Sequence, residues 1–412
     1  VACQLAQHAS DSTCYIEFTF ADLVSHVVGE FQLGIKGEPM STPIAKRLGI
    51  EFPIFAFSHC RDVVAAVTNA GGFGVLGALA FGPEQLEIEL KWIDEHVNGK
   101  PYGVDFAMPV NYVGKGGGED ASFASLDAMI PAQHREFVDD LLARYDVPEL
   151  PAELEGGPVA AAGLGVDAMG PSQVEVCLNH SNVKMIVNAL GPPPLYVIER
   201  AHEAGILVGG LAGSKVHAER QVAIGVDVIV AQGTEAGGHC GEISTMVLVP
   251  EVVDAVGPDV PVLAAGGIAT GRQMAAALAL GAQGAWTGSM WLTVSEADTN
   301  PAALENMLAA TSRDTVRSKA MTGKPARQLR TAWTDAWESD DSPGTLPMPL
   351  QGILHQEAGR RTQRVGTREL IGFPVGQIVG RLNKVRPTKD VMREMVEEWI
   401  DTTERMASIL ND

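Results

Sequence analysis

The chain has 412 residues, 51 acidic against 30 basic side chains, a net charge of −21 and a hydrophobic fraction of 46%. That length and apolar fraction suit one large α/β domain with additions or two to three ordinary domains, and they exclude wholesale disorder. The negative field argues against nucleic-acid or anionic-membrane partners, and no apolar run reaches the roughly 18 residues of a membrane span.

Residues 1–39 lack the basic start, apolar core and cleavage site of a secretory leader. Met40, directly before Ser41-Thr-Pro-Ile-Ala-Lys-Arg-Leu-Gly49, reads as a natural start, and 1–39 as a poorly ordered extension. The five cysteines (Cys3, Cys14, Cys60, Cys177, Cys240) are scattered with no CxxC pair. They read as reduced thiols in a cytoplasmic protein. Acids and histidines do not cluster at metal-ligand spacing, so no metal site is expected.

From residue 40 to about 294, short apolar runs alternate with helical patterns. The runs are Pro53–Phe57, Gly74–Leu79, Tyr102–Met108, Val183–Asn188, Ile206–Gly210, Val226–Ala231, Val260–Ala265 and Gly284–Gly288. Near-continuous hydrophobicity is how strands buried on both faces of a parallel sheet read. Helical patterns fall at Asp62–Ala70, Pro83–His96, Leu195–Ala204, Lys215–Ile224 and Arg272–Leu280. Eight such units predict a closed (β/α)8 TIM barrel over 40–294, with a doubly wound open sheet as the competitor. An insertion over 111–173, after the third strand, holds the Gly114–Gly118 turn and a predicted helix from Phe123 to Tyr145. Residues 295–412 read as a helical elaboration packed on the barrel mouth, ending in an amphipathic helix over Thr388–Met406. An exposed helical tail of this kind is compatible with a homodimer.

Ligands of such barrels sit at the carboxyl ends of the strands. After the seventh strand comes Ala264-Ala-Gly-Gly-Ile-Ala-Thr-Gly271, and after the eighth Thr287-Gly-Ser-Met-Trp291. Paired glycine turns there let backbone amides approach a phosphate, although glycines also serve plain tight turns. After the sixth strand, Ala231-Gln-Gly-Thr-Glu-Ala-Gly-Gly-His-Cys-Gly241 places Gln232, Glu235 and His239 on one loop. An imidazole exchanges protons near neutrality, so His239 is the candidate general acid/base; hydrogen bonding within the loop is the plainer alternative.

Gln232-Gly-Thr-Glu-Ala-Gly-Gly-His239-Cys-Gly, Pro261-Val-Leu-Ala-Ala-Gly-Gly-Ile268 and Ala282-Gln-Gly-Ala-Trp-Thr-Gly288 together resemble the nitronate monooxygenase (2-nitropropane dioxygenase) family. Asn69-Ala-Gly-Gly-Phe-Gly74 and Gly323-Lys-Pro-Ala-Arg327 extend the resemblance to roughly 42–335. That family is similar in fold to FMN-dependent enoyl thioester reductases.

The resemblance implies non-covalent FMN, its phosphate against Gly266, Gly267, Gly288 and Ser289, with Gln232, Gly237 and Gly238 beside the ring system. It also implies His239 as the base acting on a nitroalkane α-proton, with O2 and an alkyl nitronate as the reacting partners. After the first strand this chain departs from the family pattern, carrying Phe55-Ala-Phe-Ser-His-Cys-Arg61. His59, in that departure, is a candidate substrate contact or a structural group, and Asn188, which ends the fourth strand, is a second candidate substrate contact. Lys215 suits a solvated helix start or an anion contact, Cys240 is not needed as a nucleophile, and Trp333 and Trp337 read as packing. The alternative function is an FMN- and NAD(P)H-dependent enoyl thioester reductase, and a non-catalytic flavin-binding protein is a more distant one.

Overall fold

The computed structural model describes residues 41–108, 123–151 and 166–409; the 1–39 extension and the Gly114–Gly118 turn lie outside the described residues. Eight parallel strands close into a barrel: β1 (Ile54–Ser58), β2 (Phe73–Gly77), β3 (Tyr102–Phe106), β4 (Val183–Asn188), β5 (Leu207–Ala212), β6 (Val228–Gln232), β8 (Val262–Ala265) and β9 (Gly284–Thr287). Closure is direct, because β1 pairs with β9 through Ile54↔Ala285, Phe55↔Trp286 and Ala56↔Thr287. The seventh strand in chain order, β7 (Gly238–His239), lies outside the barrel.

The interior fills by strand alternation, with Phe55, Phe73, Val75, Met185, Val230 and Leu263 in one buried cluster. Helix α1 (Pro43–Leu48) adds Ile44, Ala45 and Leu48 to that cluster. Its Ile44 amide donates to Gln283 Oε1 just before β9 at 3.1 Å, so α1 stoppers the amino end of the barrel.

The helical ring comprises α2 (Arg61–Asn69), α3 (Pro83–His96), α6 (Val166–Leu178), α7 (Leu195–Glu203), α8 (Lys215–Ala223), α9 (Thr245–Val256) and α10 (Gly271–Ala279). After β9 the chain forms only a short 3-10 turn over Ser289–Thr293. The ring is completed by the final helix, α14 (Thr388–Ser408), which packs on both α10 and α2. The approach is close: a Cβ on Gly271 would meet the Met395 carbonyl at 2.1 Å and the Trp399 amide at 2.2 Å. The tail therefore belongs partly to the helical ring, and is not confined to the mouth.

Two further differences concern the helices expected outside the barrel. The helix expected over Phe123–Tyr145 is two, α4 (Phe123–Ala128) and α5 (Ala132–Ala143). Pro131 separates them, since proline has no amide to donate and disfavours helix in the residue before it. The region beyond Val294 is also not purely helical. After α11 (Pro301–Ala309), β10 (Thr315–Ser318) and β11 (Ala326–Leu329) form an antiparallel sheet with β7 in the order β10-β11-β7.

Helices α12 (Ala332–Trp337) and α13 (Leu350–Val365) follow, and they share one core with α4 and α5. Leu141, Leu142, Trp333, Trp337, Ile353 and Leu354 are buried in it. Trp333 and Trp337 thus pack, with ring centroids 5.8 Å apart. The buried Arg361 guanidinium clamps α13 to α5 by donating to Asp139 at 2.9 Å and to the Pro148 carbonyl at 3.0 Å.

Candidate active site

The carboxyl ends of the strands open on a cavity of about 630 Å³, a size typical of small-molecule and cofactor sites. Gln232, Gly237, Gly238, His239, Gly266, Gly267, Gly288, Ser289 and His59 all line it.

The glycine turns make a cradle of main chain. Gly266 and Gly267 adopt φ of +101° and +72°, a left-handed conformation that side-chain-bearing residues rarely hold. At Gly288 an added Cβ would find only Phe57, at 3.8 Å, so the space beside it is open. Ser289 Oγ accepts from the Gly376 amide at 2.8 Å, which leaves its own O–H to donate. Gly237 is needed for a different reason: the Val375–Gly376 backbone passes so close that a Cβ would meet it at 2.8 Å.

His239 is held by elements far away in the chain. Its backbone pairs in β7 with Ala326 of β11, and its Nε2 lies 2.8 Å from Thr322 Oγ1. Arg327, from the same Gly323–Arg327 segment, donates to the Thr234 carbonyl at 2.6 Å and to Thr315 Oγ1 at 3.1 Å, pinning the histidine loop. Although its ring edge meets the cavity, His239 is largely removed from bulk water. That desolvation, with the Lys324 cation beside it, lowers its pKa to about 4. The imidazole is neutral at pH 7, the form a base requires. Glu235 is not a second base of this kind. Its carboxylate accepts from the Thr245 amide and hydroxyl at 2.9 and 2.8 Å, tying the loop to α9.

His59 lines the cavity just after β1, its Nδ1 3.0 Å from the Gly77 carbonyl. That carbonyl can only accept, so Nδ1 carries the proton and Nε2 is the acceptor. Its accessible edge faces the recess, and burial there lowers its pKa. Asn188 does not join the cavity. Its Oδ1 accepts from the Met108 amide at 2.8 Å, and its Nδ2 donates to the Met108 and Gly191 carbonyls at 3.1 and 2.9 Å. It braces the loops after β3 and β4. Lys215 is exposed at the start of α8 and lies outside the cavity lining. Burial raises the Cys240 thiol pKa, against a thiolate role.

Two parts of the wall escape a linear reading. Asp105 lines the cavity at the end of β3, although its one signal was an acid within an apolar strand run. The other is α13, which presents Gly352, His355, Gln356, Gly359, Arg360 and Gln363. Those residues recur every three or four positions and so share one helical face. His355 Nδ1 has no partner among the described residues, and burial lowers its pKa to about 4. Among the described residues no His/Cys/Asp/Glu group could hold a metal ion, and no helix is long and apolar enough to cross a membrane.

A sequence profile of nitronate monooxygenases matches residues 149–398. The chain is 55% identical over 379 residues to the "Putative monooxygenase Rv1533" of Mycobacterium tuberculosis, covering 90% of this chain and 100% of that one. It is 29% identical to a "Probable nitronate monooxygenase" of Staphylococcus aureus strain JH9, over 86% of this chain and 96% of the relative. Among solved structures, a nitroalkane oxidase from Streptomyces ansochromogenes superposes with a TM-score of 0.72 at 24% identity, over 88% and 99% of the two chains. That likeness concerns the fold.

Proposed function

Because the chain belongs to the nitronate monooxygenase family and is a flavin-dependent oxidoreductase, we propose that its cavity holds FMN and that it oxidises alkyl nitronates with O2 to carbonyl compounds and nitrite. One observation carries this reading: His239, fixed on β7 by β11, faces the same cavity as the left-handed Gly266–Gly267 turn. The main-chain cradle of Gly266, Gly267 and Gly288, with the Ser289 hydroxyl, suits a phosphate dianion. Gln232 and the Gly237–Gly238 backbone would lie beside the ring system. When bound, the flavin supplies the one-electron chemistry that lets O2 react with the substrate.

The protein's own part is position and proton handling. On a neutral nitroalkane, His239 takes the proton from the carbon next to the nitro group. The nitronate so formed is an anion, and its charge offsets the burial and the Lys324 cation that otherwise disfavour imidazolium. A nitronate supplied from solution needs no such step. His59, with Nε2 free to accept, is the further candidate substrate contact.

Oxygen uptake by the yellow protein given an alkyl nitronate, with no nicotinamide present, tests the reaction class. Oxygen consumption with nitrite release is expected. No uptake, together with NAD(P)H oxidation that requires an enoyl thioester, would instead make it a reductase on the same barrel.

A second test concerns Lys324. His239 must be neutral to act, so kcat/KM for a neutral nitroalkane falls as pH drops through its pKa of about 4. In Lys324→Met the nearby charge is gone, and this acid limb is expected to move upward. It should stay below the ordinary histidine value, because burial is the larger cause. An unmoved limb in the pH profile would mean that His239 does not feel Lys324.

A further inference from the structure

The top of the barrel interior holds a group that neither the glycine turns nor His239 accounts for. In β3, Tyr102 reaches outward to Asp94, 3.1 Å away. Alternation then turns Gly103 and Asp105 toward the barrel axis. A Cβ on Gly103 would touch the Phe73 ring inside the barrel. Asp105 is 4% exposed and lines the cavity, and its Oδ1 has no hydrogen-bond partner among the described residues. Its strand neighbours, Gly77 in β2 and Val187 in β4, offer no side-chain donor. A buried polar atom without a partner is costly, and such groups concentrate where a ligand completes them.

We propose that Asp105 is a neutral carboxylic acid that donates a hydrogen bond into the cavity, to an acceptor atom of the ligand that carries negative charge. The acceptor belongs either to the flavin ring edge or to the oxygens of a nitronate; this inference rests on the cavity being the ligand site described above. An ionised carboxylate would repel both acceptors, whereas a protonated one is a short, strong donor to them.

The surroundings agree. Among the described residues, the other titratable or charged groups lining the cavity are His59, which lies over Gly77, and Glu235, His239, His355 and Arg360. None of them is a cause of the state of Asp105: burial alone raises its pKa well above the usual carboxylate range. The folded chain keeps a proton on Asp105 that the unfolded chain releases above the ordinary value, so folding stability falls as pH rises through and beyond that value.

Asp105→Asn keeps a donor of the same shape and cannot ionise; Asp105→Leu removes the donor. Without ligand, both variants are expected to melt higher than wild type near pH 8, with the gain shrinking toward pH 4. The infrared carbonyl band of a protonated carboxylic acid should disappear in both. FMN titration of the apoprotein and nitronate KM of the flavin-loaded protein then identify the acceptor. Roughly tenfold to hundredfold weaker FMN binding in the Leu variant assigns the flavin; a similar rise in nitronate KM at unchanged FMN affinity assigns the substrate. In either case Asn should stay near wild type. The proposal is overturned if Leu changes neither affinity, if Asn loses as much as Leu, or if the melting difference does not grow with pH. The melting and infrared results stand whatever reaction the enzyme performs.

Discussion

Replacing His239 by alanine is expected to lower kcat/KM for a neutral nitroalkane by about 10²- to 10⁴-fold, the range of a lost general base. The same variant should turn over a preformed nitronate with a far smaller loss, since no proton then has to leave carbon. The contrast separates a base from a residue that merely shapes the loop. His239 Nε2 meets Thr322, and its backbone is held by β11 independently of the ring. Alanine therefore leaves the strand pairing and the glycine cradle in place, and flavin content should be unchanged. Steady-state kinetics on the two substrate forms, with the flavin spectrum as control, decide the matter. Equal losses on both forms would remove the base assignment.

The second large effect is expected at Gly288. Its φ of −131° lies outside the left-handed region that demands glycine, and an added Cβ has room, so Gly288→Asp should fold. The new carboxylate would stand where the phosphate is proposed to lie. Like charges brought together in a desolvated site cost several kcal/mol, so FMN affinity should drop by roughly 100-fold or more. The protein should purify colourless, with a circular dichroism spectrum like that of wild type. Gly288→Ala adds bulk without charge and should keep most of the flavin. Normal FMN binding by the Asp variant would place the phosphate elsewhere.

Much of this could be read along the chain. Strands buried on both faces announce themselves by short apolar runs, and Val183–Asn188 matches β4 end to end. Turn glycines lie directly beside the strands that they follow, so Gly266, Gly267 and Gly288 could be placed at the mouth before any coordinates. Asn188 shows where that logic fails. The end of a strand is near the cavity, but whether a side chain turns into it depends on its partners, here Met108 and Gly191. Asp105 shows the reverse. An acid inside an apolar run conflicts with the local pattern, and such conflicts belong to functional sites.

By itself the sequence determined the eightfold alternation, the glycine cradle and the loop bearing Gln232 and His239, because periodicity, turn chemistry and motif spacing act over a few neighbouring residues. Only the tertiary structure decided how the site is finished. Thr322, 83 positions beyond His239, meets its ring, and Lys324 beside it adds to the burial that lowers its pKa. Helix α13 lines one side of the cavity, and α14 returns to complete the helical ring. Those contacts join segments whose separation leaves no local signal. Burial, which lowers the pKa of His239 and raises that of Asp105, belongs to the assembled barrel and to no single stretch of chain.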